Sequence, residues 1–443
     1  SRKSFVETLP STRGTQPPRF FISHWWGESF RHTLDCLETM LHDFRSNFDS
    51  TDDARGGGMT EDTPVWICAF ANNQWALGEE MTVDPKDSSF KKAMEVACFR
   101  TISILDSEGI VFTRLWCMYE LYATLILRKN ESVSGLWAVY TSHQHKFTWD
   151  GDGDVYSRVD RDCVAVGIIQ GGAPCDIYSK RTRARESFFP LERILKSQNI
   201  AVETATASKL EDKRHILNSI AKSDNIDADP PTAHGNYVAL NNALKGSFAA
   251  SPGALQAIRE GGSQEEWENI VYLLSKGAVT HTFVVNLKRF NPCLSSSEAR
   301  TLISHVPVTC NGLNVWSPNN GEGAINGVID WLGKAKPVKT LKCSYCHVDN
   351  SAKARLAGER LAAVLVSKHA KSIEYLSLLR TNLFDEKNVS YWAAALKKMT
   401  NLKDLMFTGT SLSEKFIKIL CNAACHVDRV VIVENIYWPP DEP

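Results

Sequence analysis

The chain has 443 residues, a formal net charge of −1 at pH 7 and 43% hydrophobic residues. That length suits two to three domains, and nothing in the near-zero total charge argues for a nucleic-acid footprint or an attraction to membrane surfaces, so no nucleic-acid partner is expected. No apolar run reaches the roughly 18 residues of a spanning helix, and the N-terminal "SRKSFVETLPSTRGTQPPR" is no signal peptide, so a cytoplasmic protein without a membrane span is expected, with earlier removal of a leader left open.

Residues 1–17 are polar with prolines and read as an extended lead-in. From 18 to 205, short apolar strands alternate with helical stretches. "RFFISHWW" (19–26) is a strand, and "ESFRHTLDCLETMLHDF" (28–44) has helical spacing at Phe30, Leu34, Leu37 and Leu41. After a loop at 50–64, "VWICAFA" (65–71) is strand-like, and "SSFKKAMEVACF" (88–99) is a helix capped by Ser88 or Ser89. "TISILD" (101–106) is a strand, "TRLWCMYELYATLIL" (113–127) a helix, and "GLWAVY" (135–140) and "CVAVGII" (163–169) are strands. "ESFFPLERILKSQ" (186–198) is helix-like and "NIAVETA" (199–205) closes as a strand. The alternation predicts an α/β domain on a mostly parallel sheet.

Residues 206–275 are polar and helical, with breaks at "DADPPTAHGN" and "SPG", and read as a helical connector. From 276 to 437 a pattern recurs: apolar, two residues, apolar, one residue, apolar. It fits Thr282/Val285/Leu287 loosely, then Cys310/Leu313/Val315, Val338/Leu341/Cys343, Ile373/Leu376/Leu378, Leu402/Leu405/Phe407 and Val427/Val430/Ile432, with helical runs between. A short strand and a helix every 20–29 residues or so is the leucine-rich-repeat signature. The long helices resemble those of the ribonuclease-inhibitor type. Residues 438–443 are a tail.

The 12 cysteines are scattered, several in apolar runs such as "VWICAF" and "MEVACF", where a thiol is a small hydrophobe. A reducing compartment without a disulfide framework is expected.

One stretch stands apart. "TRLWCMYELYATL" (113–125) is apolar enough for a buried helix, yet carries Glu120 at its centre. A strand "FISHWWGE", an amphipathic helix, "SFKKAMEVACFRTISILD" and "TRLWCMYEL" follow one another in the order of the Toll/interleukin-receptor (TIR) family. Trp116, Cys117, Glu120 and Leu121 fall on the last family motif without a gap. The chain over 19–205 therefore resembles a TIR domain of the kind found in dinoflagellate-type protists, and the resemblance implies a flavodoxin-like parallel sheet. In catalytic TIR domains the glutamate four residues after the tryptophan is essential for NAD cleavage, a role that maps onto Glu120, with NAD as substrate and no resident cofactor. Trp116 and Glu120 are an i, i+4 pair on one helix face. A carboxylate there can bind the ribose hydroxyls and stabilise oxocarbenium-like charge, and the indole can stack on a flat base.

The first strand's carboxyl end, Ser23, His24, Trp25 and Trp26, faces the ligand crevice in an open parallel sheet. Asn72, Asn73 and Trp75 in "ANNQW" follow another strand end. The family's arginine before the first-strand glycine has no holder here, because Trp25 and Trp26 occupy that stretch, and Arg114 stands one place from the arginine of the family's last motif. The competing reading of Glu120 is a helix acid that reaches solvent or pairs with Arg114 or Arg128.

Other strings carry less. "DGDGD" (150–154) opens like a calcium loop but has Val155 and Arg161 where the glycine and terminal glutamate belong. "CSYCH" (343–347) matches a haem-attachment string, yet Cys343 is an inward repeat position and Cys346 takes the repeat's Asn/Cys place. "CNAACH" (421–426) has no second half for zinc, and "GGG" (56–58) has no lysine of a phosphate loop. No metal site is expected, and no nucleotide-binding ATPase module lies between the two ends. Two functions remain open. One is an NAD-cleaving signalling or defence protein whose repeats take a protein partner; the other is a scaffold that self-associates through the TIR-like domain and binds partners on the repeats. A structural subunit of a larger assembly is a third.

Overall fold

A computed structural model describes residues 3–9, 14–45, 59–73, 75, 83–126, 137–146, 162–171, 189–277, 282–290, 292–408 and 413–433. The chain is α/β and divides into two compact units, one over Ser1–Ala254 with Lys276–Ala278, the other over Leu255–Ser275 and the residues from Val279 on.

The first unit is built on five strands: β1 (Phe20–Ser23), β2 (Val65–Ile67), β3 (Thr101–Ile104), β4 (Trp137–Lys146) and β5 (Asp162–Gly171). Their spatial order is β2-β1-β3-β4-β5. The first four run parallel, with Ile22 beside both Ile67 and Ile102, and β5 returns antiparallel along β4. Side chains alternate across a strand, so β1 feeds two layers. Phe20 and Ile22 join Cys36, Met40 and Phe44 of the helix Phe30–Arg45. Phe21 faces the opposite layer, where it meets Phe90, Ala93 and Met94 of the helix Ser89–Val96 and Ala123 of the helix Leu115–Leu125. Ser88 caps the former helix by accepting from Lys91 N at 3.3 Å.

Three segments differ from the sequence expectation. β4 runs on to Lys146, six residues past the apolar run that ended at Tyr140. β2 stops at Ile67, and Cys68–Ala71 turns into a short helix instead of continuing the strand. The expected strand over 199–205 is absent; Val202–Thr204 is a 3-10 turn. Its polar groups are satisfied locally, with Thr204 N and Oγ1 donating to the Ala201 carbonyl at 3.1 and 2.9 Å and Asn241 Oδ1 taking Val202 N at 2.9 Å. A backbone so satisfied needs no ladder partner.

The helices Leu210–Ala221 and Gly235–Ala249, from the stretch read as a connector, lie in the first unit. Both pack on the helix Leu115–Leu125, and Tyr237 Oη ties them together by donating to the Leu217 carbonyl at 3.0 Å.

The second unit carries six parallel strands in simple succession, β6 (Thr282–Asn286), β7 (Gly312–Trp316), β8 (Thr340–Ser344), β9 (Tyr375–Leu379), β10 (Asp404–Thr408) and β11 (Arg429–Val433). Leu313, Leu341, Leu376, Leu405 and Val430 stand side by side, as the sequence pattern requires. The first repeat is shifted by two: Phe283, not Val285, stands beside Leu313, and Val285 belongs to the next ladder with Val315 and Cys343. The misassignment has a simple source, since residues i and i+2 of a strand share a face and both are apolar here. Cys343 and Cys346 are fully buried in this core, and among the described residues no group of three or more His, Cys, Asp or Glu can hold a metal. The "DGDGD" segment and Arg128 lie outside the described residues. No described helix is long and apolar enough to cross a membrane.

Neighbouring elements of this unit approach closely at glycines. A Cβ on Gly323, in the helix Gly321–Lys334, would run into the Ser296 carbonyl, and one on Gly358, in the helix Ser351–Val364, into the Leu383 carbonyl; Gly333 has open space. Alanine is the better helix former by about 1 kcal/mol. Gly333→Ala is therefore expected to raise the unfolding temperature, while Gly323→Ala and Gly358→Ala lower it, through a loss of roughly 1–3 kcal/mol of stability to overpacking. Scanning calorimetry on the three variants checks this, and a raised temperature in all three contradicts the packing.

Candidate functional site

The helix Leu115–Leu125 starts where its first free N–H finds a partner outside the helix: Leu115 N donates to the Thr206 carbonyl at 2.8 Å, and Thr206 N returns a bond to Thr113. Ten of its eleven residues are buried, because the sheet, the helix Ser89–Val96 and the helices from 210 to 249 surround it. A helix enclosed on all sides should be apolar all round. Glu120 is the exception.

Glu120 is 4% exposed. Its Oε2 has no hydrogen-bond partner. Burial raises its pKa to about 8, only partly offset by Ser23. Ser23 comes from the alternation of β1: it shares the face of Phe21 and thus points to the helix layer. Its Oγ is also buried and forms no hydrogen bond within normal geometry, so it moderates the carboxyl without satisfying it. Of the two pairings open in the sequence, Arg128 lies outside the described residues, and Arg114 is half-buried and donates instead to Ser208 Oγ at 3.0 Å. Thr124 Oγ1 donates to the Glu120 backbone carbonyl at 2.9 Å and shares a hydrogen bond with Thr101 Oγ1 at 2.7 Å, which fixes the helix against β3 but leaves the side chain alone.

The residues after β1 close around this point. His24 Nδ1 faces the Trp25 carbonyl at 3.1 Å. A carbonyl only accepts, so Nδ1 carries the proton and Nε2 is the acceptor, 3.8 Å from Cys68 Sγ. Burial lowers the His24 pKa, which favours that neutral form. Trp26 Nε1 donates to Cys68 Sγ at 2.7 Å, and Cys117 Sγ donates to the His24 carbonyl at 3.9 Å. Burial and the nearby Glu120 push the Cys68 thiol up to about 12 and the Cys117 thiol well above its ordinary value, so both stay protonated. Trp25 folds its ring over Gly27, where any Cβ would collide with it. Trp26 is 54% exposed.

Of the residues singled out from sequence, Glu120, Ser23, His24 and Trp26 belong to this cluster. Trp116 shares the helix, but its ring stacks on Phe90 at 5.3 Å and its Nε1 donates to Asp212 Oδ2 at 3.2 Å. The indole expected to receive a base is engaged in packing. Asn73 Oδ1 accepts Trp75 N at 3.0 Å in a local turn. Three neighbours were missed. Cys117 was legible, because i, i+3 places it on the face of Glu120. Cys68 became a neighbour where β2 ends at Ile67 and the chain turns into a short helix. Asp212 comes from a helix with no sequence link to the site.

The raised pKa makes stability depend on pH with a definite sign. Below pH 4.5 folded and unfolded chains both hold the Glu120 proton. Between 4.5 and about 8 the unfolded chain releases it and the folded state does not, so stability falls as pH rises; above about 8 the loss is complete. Glu120→Gln keeps the shape without the charge. The variant is expected to gain on the wild type as pH climbs from 5 to 9, reaching roughly 2–4 kcal/mol. Urea denaturation at several pH values checks this, and a variant less stable than wild type at pH 9 would show a paired carboxylate. No protein-family model, curated protein or solved structure matches the chain, so the chemistry of the site rests on its own residues.

Proposed function

We propose that the first unit is a TIR-type, flavodoxin-like domain that cleaves NAD at the nicotinamide–ribose bond, with Glu120 as the working carboxylate, and that the second is a leucine-rich-repeat solenoid that takes a protein partner in a cytosolic signalling or defence role. The observation that carries the reading is the unpartnered Oε2 of a carboxyl that is 4% exposed. A group held out of water at such cost is a mark of functional sites. Its place supports the same reading. The strand order reverses between β1 and β3, the switch point where open α/β sheets bind ligands, and 2-1-3-4-5 is the flavodoxin-like order, here with β5 reversed. For the second unit the support is the succession of parallel strands separated by helices.

In the proposed step the C1′–N bond of the nicotinamide ribose breaks, nicotinamide leaves with the electron pair, and positive charge builds on the ribose ring. The Glu120 carboxylate faces that charge and the ribose hydroxyls. Water then adds at C1′ and loses a proton to solvent. The ionised form is required, so kcat/KM is expected to rise with pH and level off above about 8.

Nicotinamide release by the purified chain at high concentration, beside Glu120→Gln, tests the reading. Turnover in the wild type that falls by roughly 10²-fold or more in the variant, the scale of losing a charge-stabilising group, supports it. No turnover, even with the chain clustered on beads, favours the second reading, a scaffold in which the domain self-associates. The packing of the Trp116 indole against Phe90 and Asp212 is the observation on that side.

A further inference from the structure

A separate cavity of about 280 Å³ opens in the first unit beyond the end of β3. Its apolar walls are Leu105, Phe112, Ile200 and Ala201, and two cations line it, Arg193 and Lys196. They stand at i, i+3 on the helix Leu191–Ser197 and so share a face. Arg193 is 6% exposed. Its Nη1 donates to the Leu105 and Ser142 carbonyls over long contacts of 3.5 and 3.4 Å, and its Nε has no partner. Burial disfavours its charge, and Glu192, Glu28 and Asp106 offset this from nearby; Asp106 Oδ1 itself accepts Ile110 N at 2.8 Å and Glu28 lies 3.1 Å from His32. Lys196 Nζ is held at the cavity by Glu108 Oε2 at 3.0 Å and the Ser107 carbonyl at 3.1 Å. Glu108 is largely exposed, so exchanging it for another anion costs little.

A cavity lined by a buried guanidinium, a second cation on the same helix face and an apolar wall has the parts of a site for an amphipathic anion. We propose that this cavity binds a small organic anion, a carboxylate or phosphate ester with a short apolar body, whose head is taken by Lys196 Nζ in the field of the buried Arg193 guanidinium. The inference is independent of the NAD reading. Thr113 and Ala205 also line the cavity, and the bridge between Arg114 and Thr206 lies next to them in the chain. A bound ligand therefore sits against the joint from which the Glu120 helix starts.

Titration calorimetry with hexanoate, hexyl phosphate and the neutral hexan-1-ol on the full chain tests this. Saturable binding of at least one of the two anions is expected, with the alcohol weaker by about tenfold or more. Lys196→Gln, at a half-exposed position, is expected to weaken the anion about tenfold and leave the alcohol unchanged. Ala201→Leu, which fills the cavity, abolishes all binding, with a thermal melt as the check that it folds. The anion preferred tells carboxylate from phosphate ester. Absence of saturable anion binding to the wild type, alcohol binding as tight as the anion, or anion binding that both variants leave intact overturns the proposal.

Discussion

A carboxyl group without a partner, sealed between a strand end and a fully covered helix, is the constraint on which the first unit turns. Transferring such a group out of water is unfavourable in either protonation state and far more so when ionised. The protein retains it by keeping the proton, which is what a pKa near 8 means. Everything around it sets that condition. Ser23 offers a hydroxyl that does not close a hydrogen bond. The Cys68 and Cys117 thiols stay neutral. His24 is turned to the Trp25 carbonyl and the Cys68 thiol, and is kept neutral by burial.

The same constraint explains why residues beyond 205 are part of this unit. A helix with ten buried residues of eleven needs cover on the side away from the sheet. The helices Leu210–Ala221 and Gly235–Ala249 supply it, and the bridge from Arg114 to Thr206 fixes where they begin. Asp212 then draws the Trp116 indole toward that cover. The second unit is organised by a simpler rule. Each strand contributes two inward residues, and Leu313, Val315, Leu341, Cys343, Leu376, Leu378, Leu405 and Phe407 form two continuous buried ladders. Their helices are spaced closely enough that Gly323 and Gly358 face carbonyls of the preceding and following segments.

Much of this was legible in residue order because the signals were local. Alternating apolar runs placed four of the five strands of the first sheet within a few residues of their ends, and the spacing of Leu313, Leu341, Leu376 and Leu405 placed the second. Glu120 was legible because an acid at the centre of an apolar helix breaks the pattern. The rest depended on partners distant in sequence. The stretch 199–205 reads as a strand by composition, but Asn241 supplies the bond that lets it turn. The direction of β5 is not encoded by its apolar run, and the Phe283 register was hidden by Val285 on the same face. Trp116 looked free for a ligand because Phe90 and Asp212 lie 26 and 96 residues away along the chain. Arg193 drew no notice, since an arginine in a short helix reads as surface until the fold buries it.

The carboxyl pKa of Glu120 is the quantity from which the rest follows. Carbon-13 NMR titration of glutamate-labelled protein, with Glu120→Gln to assign the signal, measures it with and without NAD. The account predicts a midpoint near 8 in the free protein, and a lower one with NAD, because the cationic nicotinamide ring favours the ionised acid. A midpoint at the ordinary carboxylate value, or one that NAD leaves unmoved, would contradict it.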